Sequence, residues 1–280
     1  MQNIFVVGAG TMGLDIAQVF AKAGMNVTVR DINDTIIENA HKKMDANIAK
    51  LVAKGKMTQE TADAVLSRIT YTVPMEPAKD ADLVLEAIIE RFDLKKSVFQ
   101  ELDAICKPEC LFCSNTSSIS ITEMAVASGR PDRFIGMHFF NPATVMKLIE
   151  ITRSLTTSDE TFKAVYDLSV AIGKEPVEVQ DSPGFVVNRI LVPMMNEAAF
   201  VLSEGVASAE DIDKAMQLGA NHPMGPLHLA DLVGIDVVLY ICDVMYNETH
   251  DSKFRACYLL RKMARAGKLG RKTGEGFFKY

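Results

Sequence analysis

Apolar residues along this chain follow two regimes. Up to about residue 180, short β-branched runs alternate with longer stretches of helical period; beyond Gly184 only helical patterns remain. Residues 4–7 read as a buried strand, followed at once by a helix pattern over 14–22 that Gly24 stops. A second strand is predicted over 27–31, a long polar helix over 35–56, and a short helix over 57–67 with Thr58 as its N-cap. Strand signals recur at 82–87, 111–117, 134–138, 147–151 and 176–180, and a helix over 91–102 follows the first of them. The pattern changes at Asp181-Ser182-Pro183-Gly184. After it come helices over 185–202, interrupted by Pro193, and over 209–217, 231–246 and 253–266. The chain therefore reads as an α/β domain over residues 1–183 and a smaller all-helical domain over 184–280, with no internal repeat.

The first strand runs into Gly8-Ala9-Gly10-Thr11-Met12-Gly13, which opens the first helix, and the second strand ends in Asp31. Strand, glycine turn, helix, strand and acid make the βαβ unit of a Rossmann-type dinucleotide-binding domain. Asp31 lies 18 residues after Gly13, close to the usual spacing of about 20. Gly8 permits a tight turn, Gly10 lets the backbone approach a pyrophosphate, and Gly13 lets helix and strand pack closely. The N–H groups opening the helix, at Thr11 and Met12, face the phosphates with the positive end of the helix dipole. A carboxylate at Asp31 accepts from ribose hydroxyls and repels a 2′-phosphate, which favours NAD over NADP; the neighbouring Arg30 points the other way.

Composition narrows the function classes. The 280 residues are 48% hydrophobic with a net charge of −6, and the pI is near 5.5. That acidic balance argues against a general nucleic-acid binder. No apolar run is long enough to span a membrane, and the N-terminus lacks the features of a signal peptide, so the expectation is a cytoplasmic protein. Five cysteines, an odd number, fit a reducing compartment. Cys106, Cys110 and Cys113 cluster without a second pair at ligand spacing and read as buried thiols, with no metal. His41, Lys42, Lys43, Lys50, Lys54 and Lys56 on the long polar helix form either a solvated face or the receiver of a second phosphorylated ligand.

Candidate chemistry gathers late in the α/β domain. Ser117, His138 and Glu150 lie at strand ends and Asn188 at the start of the helical domain, the region a nicotinamide would occupy. His138 sits in Gly136-Met137-His138-Phe139-Phe140-Asn141-Pro142, with Glu150 twelve residues on. A histidine beside a nicotinamide suits proton transfer coupled to hydride transfer. The expected site is the cleft between the two domains.

These motifs resemble those of the L-3-hydroxyacyl-CoA dehydrogenases, above all the bacterial short-chain members that act on 3-hydroxybutyryl-CoA. The resemblance covers the whole chain. It rests on the glycine turn, on Ser114-Asn115-Thr116-Ser117-Ser118, on the His138 motif, and on Asp181-Ser182-Pro183-Gly184-Phe185-Val186-Val187-Asn188-Arg189. Leu269-Gly270-Arg271-Lys272-Thr273-Gly274-Glu275-Gly276-Phe277 completes it. It implies reversible reduction of acetoacetyl-CoA to (S)-3-hydroxybutyryl-CoA with NAD(H), His138 as general acid/base and Glu150 fixing its tautomer. Ser117 and Asn188 would hold substrate oxygens, and Asn141 would organise the turn after His138 or touch substrate. The resemblance also assigns Glu90, Lys95 and Asn115 to the nicotinamide half and Lys54 to a CoA phosphate. Met224, Pro226 and Leu227 would line the acyl end.

Two other readings remain on sequence grounds. A dehydrogenase of a free β-hydroxy acid is disfavoured by the lysine-bearing helix and the His-Phe-Phe-Asn-Pro motif. A non-catalytic NAD-binding homologue is disfavoured because Ser117, His138, Glu150 and Asn188 are all in place. A small helical domain with apolar faces points to a homodimer.

Overall fold

In the computed structural model, which describes residues 1–280, Asn3–Val7 (β1) lies inside an eight-stranded sheet. The other strands are Asn26–Arg30 (β2), Ile69–Thr72 (β3), Leu83–Glu86 (β4), Leu111–Ser114 (β5), Phe134–Phe139 (β6), Leu148–Arg153 (β7) and Glu175–Gln180 (β8). Their order is β3-β2-β1-β4-β5-β6-β7-β8, and every neighbouring pair is parallel except β6 with β7. All residues of β4, β5 and β6 are buried, as expected of strands covered on both faces. Strand order reverses beside β1, so the carboxyl ends of β1 and β4 flank the switch point where open α/β sheets bind ligands.

The helices of this unit are Thr11–Lys22 (α1), Asp34–Ala53 (α2), Gln59–Leu66 (α3), Phe92–Ile105 (α4), Ile121–Ala127 (α5) and Asp159–Ala171 (α6). Asn33, Thr58, Ser120 and Ser158 cap α2, α3, α5 and α6 by accepting a first-turn N–H. α1 and α4 have no such cap, and of the two only α1 also lacks an acid in its first turn. The N-cap of α1 is Gly10. Ile4, Val6, Ile16, Phe20, Val27 and Leu85 belong to the core that joins the sheet to its helices.

The chain divides into two compact units, Met1–Ser182 and Pro183–Tyr280. The second contains Val187–Ser203 (α7), Ala209–Gly219 (α8), Pro226–Val233 (α9), Ile235–Thr249 (α10) and Tyr258–Arg265 (α11). Its core is built on Val192, Met195, Ala199, Val238, Met245 and Leu260. Pro193 lies inside α7 without ending it. The single helix expected over 231–246 is instead two, because Gly234 between them has φ +105°, a conformation that side chains rarely adopt. Likewise the helix expected over 253–266 begins only at Tyr258, after a short 3₁₀ turn at Ser252–Phe254. The C-terminal segment is fastened by Asp231, which is buried and accepts from the N–H of Phe277 and Phe278, each at 2.9 Å, and from the Tyr280 hydroxyl at 3.1 Å. No helix is long and apolar enough to cross a membrane.

Candidate active site

The glycine turn leads from β1 into α1 at the switch point. Gly8 has φ +109°, and a Cβ there would stand 2.5 Å from the carbonyl oxygen of Ala87, just beyond β4. A Cβ at Gly13 would collide with the carbonyl of Gly8, so helix and turn are in direct backbone contact. Gly10 is exposed, with nothing within 4 Å of a Cβ position. An uncapped helix start below open space suits a pyrophosphate, because first-turn N–H groups have no partners within their own helix. Asp31 follows β2 and is half-buried. Its Oδ2 accepts from the Ala9 N–H at 2.7 Å and its Oδ1 from the Ile32 N–H at 2.7 Å, which ties the acid to the turn. Arg30 donates its Nε–H to the Val73 carbonyl at 2.9 Å, which holds the side chain there. The residues present therefore fit a nicotinamide dinucleotide.

The pairing of β6 with β7 sets the geometry of His138 and Glu150. His138 stands directly opposite Glu150 in the antiparallel register, and residues so placed project side by side on one face. Nδ1 of His138 and Oε2 of Glu150 are 2.8 Å apart; both residues are buried, with Glu150 only 1% exposed. The Phe140 ring lies 4.6 Å from the imidazole, centroid to centroid. An ionised carboxylate only accepts, so a neutral imidazole in this pair has its proton on Nδ1 and its lone pair on Nε2. Between the two strands lies the turn with Asn141, which is exposed, and its peptide to Pro142 is cis.

Ser117 sits in the turn after β5, and Glu90 organises that turn. Glu90 Oε1 accepts from the Thr116 hydroxyl, from the N–H of Ser117 at 3.0 Å and Ser118 at 3.2 Å, and from the Ser118 hydroxyl at 3.0 Å. Glu90 Oε2 pairs with Lys95 Nζ at 2.8 Å. Lys95 is 1% exposed and also reaches Glu86 at 2.9 and 3.0 Å, so its ammonium sits between two carboxylates. Burial alone would lower the lysine and raise both acids. Attraction outweighs it for two of the three: Lys95 lies above its ordinary range and Glu90 below. At Glu86, the deepest, burial prevails and the carboxyl is raised. Asn115 uses its Oδ1 to accept the Phe139 N–H at 2.8 Å, which ties the end of β5 to β6 beside His138.

The remaining expected residues belong to other elements. Lys54 caps the C-terminus of α2 and is exposed. Farther up the same helix, Lys43 Nζ reaches the Thr11 hydroxyl at 3.0 Å, at the start of α1. Asn188 is in the first turn of α7 in the second unit. Leu227 and Pro226 are buried at the start of α9, and Met224 is half-buried. The five cysteines are all buried and free.

Glu86, Thr116 and Ser118 were not singled out from the sequence. A signal for Glu86 existed, since a carboxylate ending an apolar run such as Leu83-Val84-Leu85 requires a partner. Which partner it finds is a matter of tertiary structure.

Residues 3–182 match the family described as 3-hydroxyacyl-CoA dehydrogenase, NAD binding domain, and residues 184–280 match its C-terminal domain. The chain is 51% identical over 278 residues to a 3-hydroxybutyryl-CoA dehydrogenase of Clostridioides difficile, covering 99% of both proteins. It is 42% identical to the mitochondrial hydroxyacyl-coenzyme A dehydrogenase of Homo sapiens, covering 100% of this chain and 91% of that one. Among solved structures it is similar to (S)-3-hydroxybutyryl-CoA dehydrogenase from Ralstonia eutropha. There the TM-score is 0.97 and the identity 48%, over 100% of this chain and 99% of that chain.

Proposed function

The chain belongs to the 3-hydroxyacyl-CoA dehydrogenase family, and from that premise we propose that it interconverts acetoacetyl-CoA and (S)-3-hydroxybutyryl-CoA, reversibly, with NAD(H). The observation that carries this reading is the buried His138–Glu150 pair at 2.8 Å. A bound nicotinamide supplies the hydride acceptor in one direction and the hydride donor in the other. His138 Nε2 takes the proton of the substrate 3-hydroxyl on oxidation and returns it to the carbonyl oxygen on reduction. Such a group is worth about 10²–10⁴ in rate. Glu150 keeps the proton on Nδ1 and stabilises the imidazolium once Nε2 is protonated.

Ser117 and Asn188 hydrogen-bond substrate oxygens and hold C3 in position, and Asn141 organises the turn that follows His138. Gly8, Gly10, Thr11, Met12 and Gly13 receive the pyrophosphate. Asp31 binds the adenosine ribose and repels a 2′-phosphate, and Arg30, held at Val73, does not compensate. This favours NADH over NADPH. Glu90 and Asn115 shape the nicotinamide half, with Lys95 acting through Glu90. Lys54 meets a CoA phosphate as a point charge, and Met224, Pro226 and Leu227 border the acyl end. Its place of action is proposed as the cytoplasm.

The test is a steady-state assay of the wild type. Acetoacetyl-CoA is expected to be reduced far faster with NADH than with NADPH, and free acetoacetate hardly at all. A preference for NADPH would refute the role given to Asp31. Equal rates on the free acid would refute the CoA thioester as substrate.

A further inference from the structure

Glu86 ends β4 with no solvent exposure, and a carboxylate at that depth persists only when its charge is paired and its oxygens are hydrogen-bonded. It has four bonds. Lys95 Nζ donates to Oε1 at 2.9 Å and to Oε2 at 3.0 Å, the Ile88 N–H donates to Oε1 at 2.7 Å, and the Ser114 hydroxyl donates to Oε2 at 2.6 Å. Two routes lead from this carboxylate to one turn. Along the first, Lys95 holds Glu90 Oε2 at 2.8 Å, and Glu90 Oε1 gathers the Ser117 and Ser118 N–H groups and the Thr116 and Ser118 hydroxyls. Along the second, Ser114 Oγ, oriented by Glu86, accepts the Thr116 N–H at 3.2 Å.

Stability alone does not call for such an arrangement. A well-packed apolar group in place of a buried ion pair is often as stable or more so, and Leu83, Val84 and Leu85 of the same strand are buried as apolar groups. What the ionic network adds is direction, because each bond in it has a preferred geometry and its two routes end on residues 114–118.

We propose that Glu86 is a positioning residue for the dehydrogenase reaction: by holding the turn after β5 along two routes, it sets the place of the Ser117 hydroxyl. This rests on the reading of Ser117 as a substrate contact. Glu86 itself touches no substrate and exchanges no proton in the reaction.

A double-mutant cycle tests it, with Glu86→Gln, Ser117→Ala and the double variant assayed for acetoacetyl-CoA reduction. Glu86→Gln is expected to lower kcat/KM about tenfold in the wild-type background and by less than about twofold when Ser117 is already alanine, the non-additivity of residues acting as a unit. Equal losses in both backgrounds, or no loss in the wild type, would overturn the proposal. A Ser117→Ala variant of wild-type activity would instead overturn the Ser117 assignment, and the two failures are thus distinct. Should Glu86→Gln not fold, Ser114→Ala removes both bonds of the second route and leaves the first in place. Its loss, about threefold, is expected to vanish in the Ser117→Ala background, and persistence of that loss would count against the inference.

Discussion

Carboxylates in this chain sit at several depths, and their surroundings make them different groups. Glu86, without exposure, is raised by burial despite Lys95. Glu90 is lowered, because Lys95 and the turn after β5 outweigh its burial. Asp82 is the most accessible of the three. Burial would raise it, but Lys107 Nζ at 2.6 Å and the N–H groups of Gln2 at 2.7 Å and Asn3 at 3.0 Å bring it from 3.8 to about 2. A depressed carboxylate stabilises the fold above its unfolded value, near 3.9, and that contribution is lost as pH falls through about 2. After allowance for solvent screening it is worth about 1 kcal/mol. Asp82→Asn should therefore unfold at lower urea than wild type at pH 7, with the gap narrowing as pH falls from 4 toward 2. A gap independent of pH would contradict this account of Asp82.

At the scale of elements, the register of β6 against β7 matters most. It places His138 opposite Glu150 and Gly136 opposite Thr152. A Cβ on Gly136 would come 2.8 Å from Thr152 Cβ and 3.0 Å from Ile121 Cδ1, too close for an ordered core. Gly136→Val is expected to cost about 2 kcal/mol or more through overpacking and to lower turnover by displacing the strand that bears His138. Urea unfolding and kcat measured together check this, and an unchanged kcat in a destabilised protein would uncouple the strand from the chemistry.

This pairing is also where sequence reading reaches its limit. The βαβ unit was legible because Gly8, Gly10, Gly13 and Asp31 have fixed spacing and local causes. His138 and Glu150 were legible as residues, yet nothing in a twelve-residue separation states that their strands run antiparallel. The edge strand β3 was missed because three of its four residues are only partly covered or exposed, so its apolar pattern is weak. α5, with seven residues, is too short to display a period. α6 buries Thr161 and Ser169 beside Val165 and Leu168, which blurs its apolar stripe. The break between α9 and α10 hung on the backbone of Gly234 alone.

For the whole molecule, the two units use separate cores, one joining sheet and helices and one wholly helical. The helical unit leaves Ile190, Val206 and Leu218 at least 69% exposed, apolar side chains of the kind that an interface with a second copy would cover. A two-fold homodimer is the assembly we propose. Light scattering should give twice the chain mass of 30.7 kDa, and a monomer mass at micromolar concentration would refute the dimer. In the proposed mechanism, activity depends on His138 above all. The most direct measurement is therefore the turnover of acetoacetyl-CoA with NADH by His138→Gln, alongside its affinity for NADH. Turnover is expected to fall by about 10²–10⁴ with NADH binding nearly unchanged. Near-normal turnover would contradict the assignment of His138 as the proton carrier.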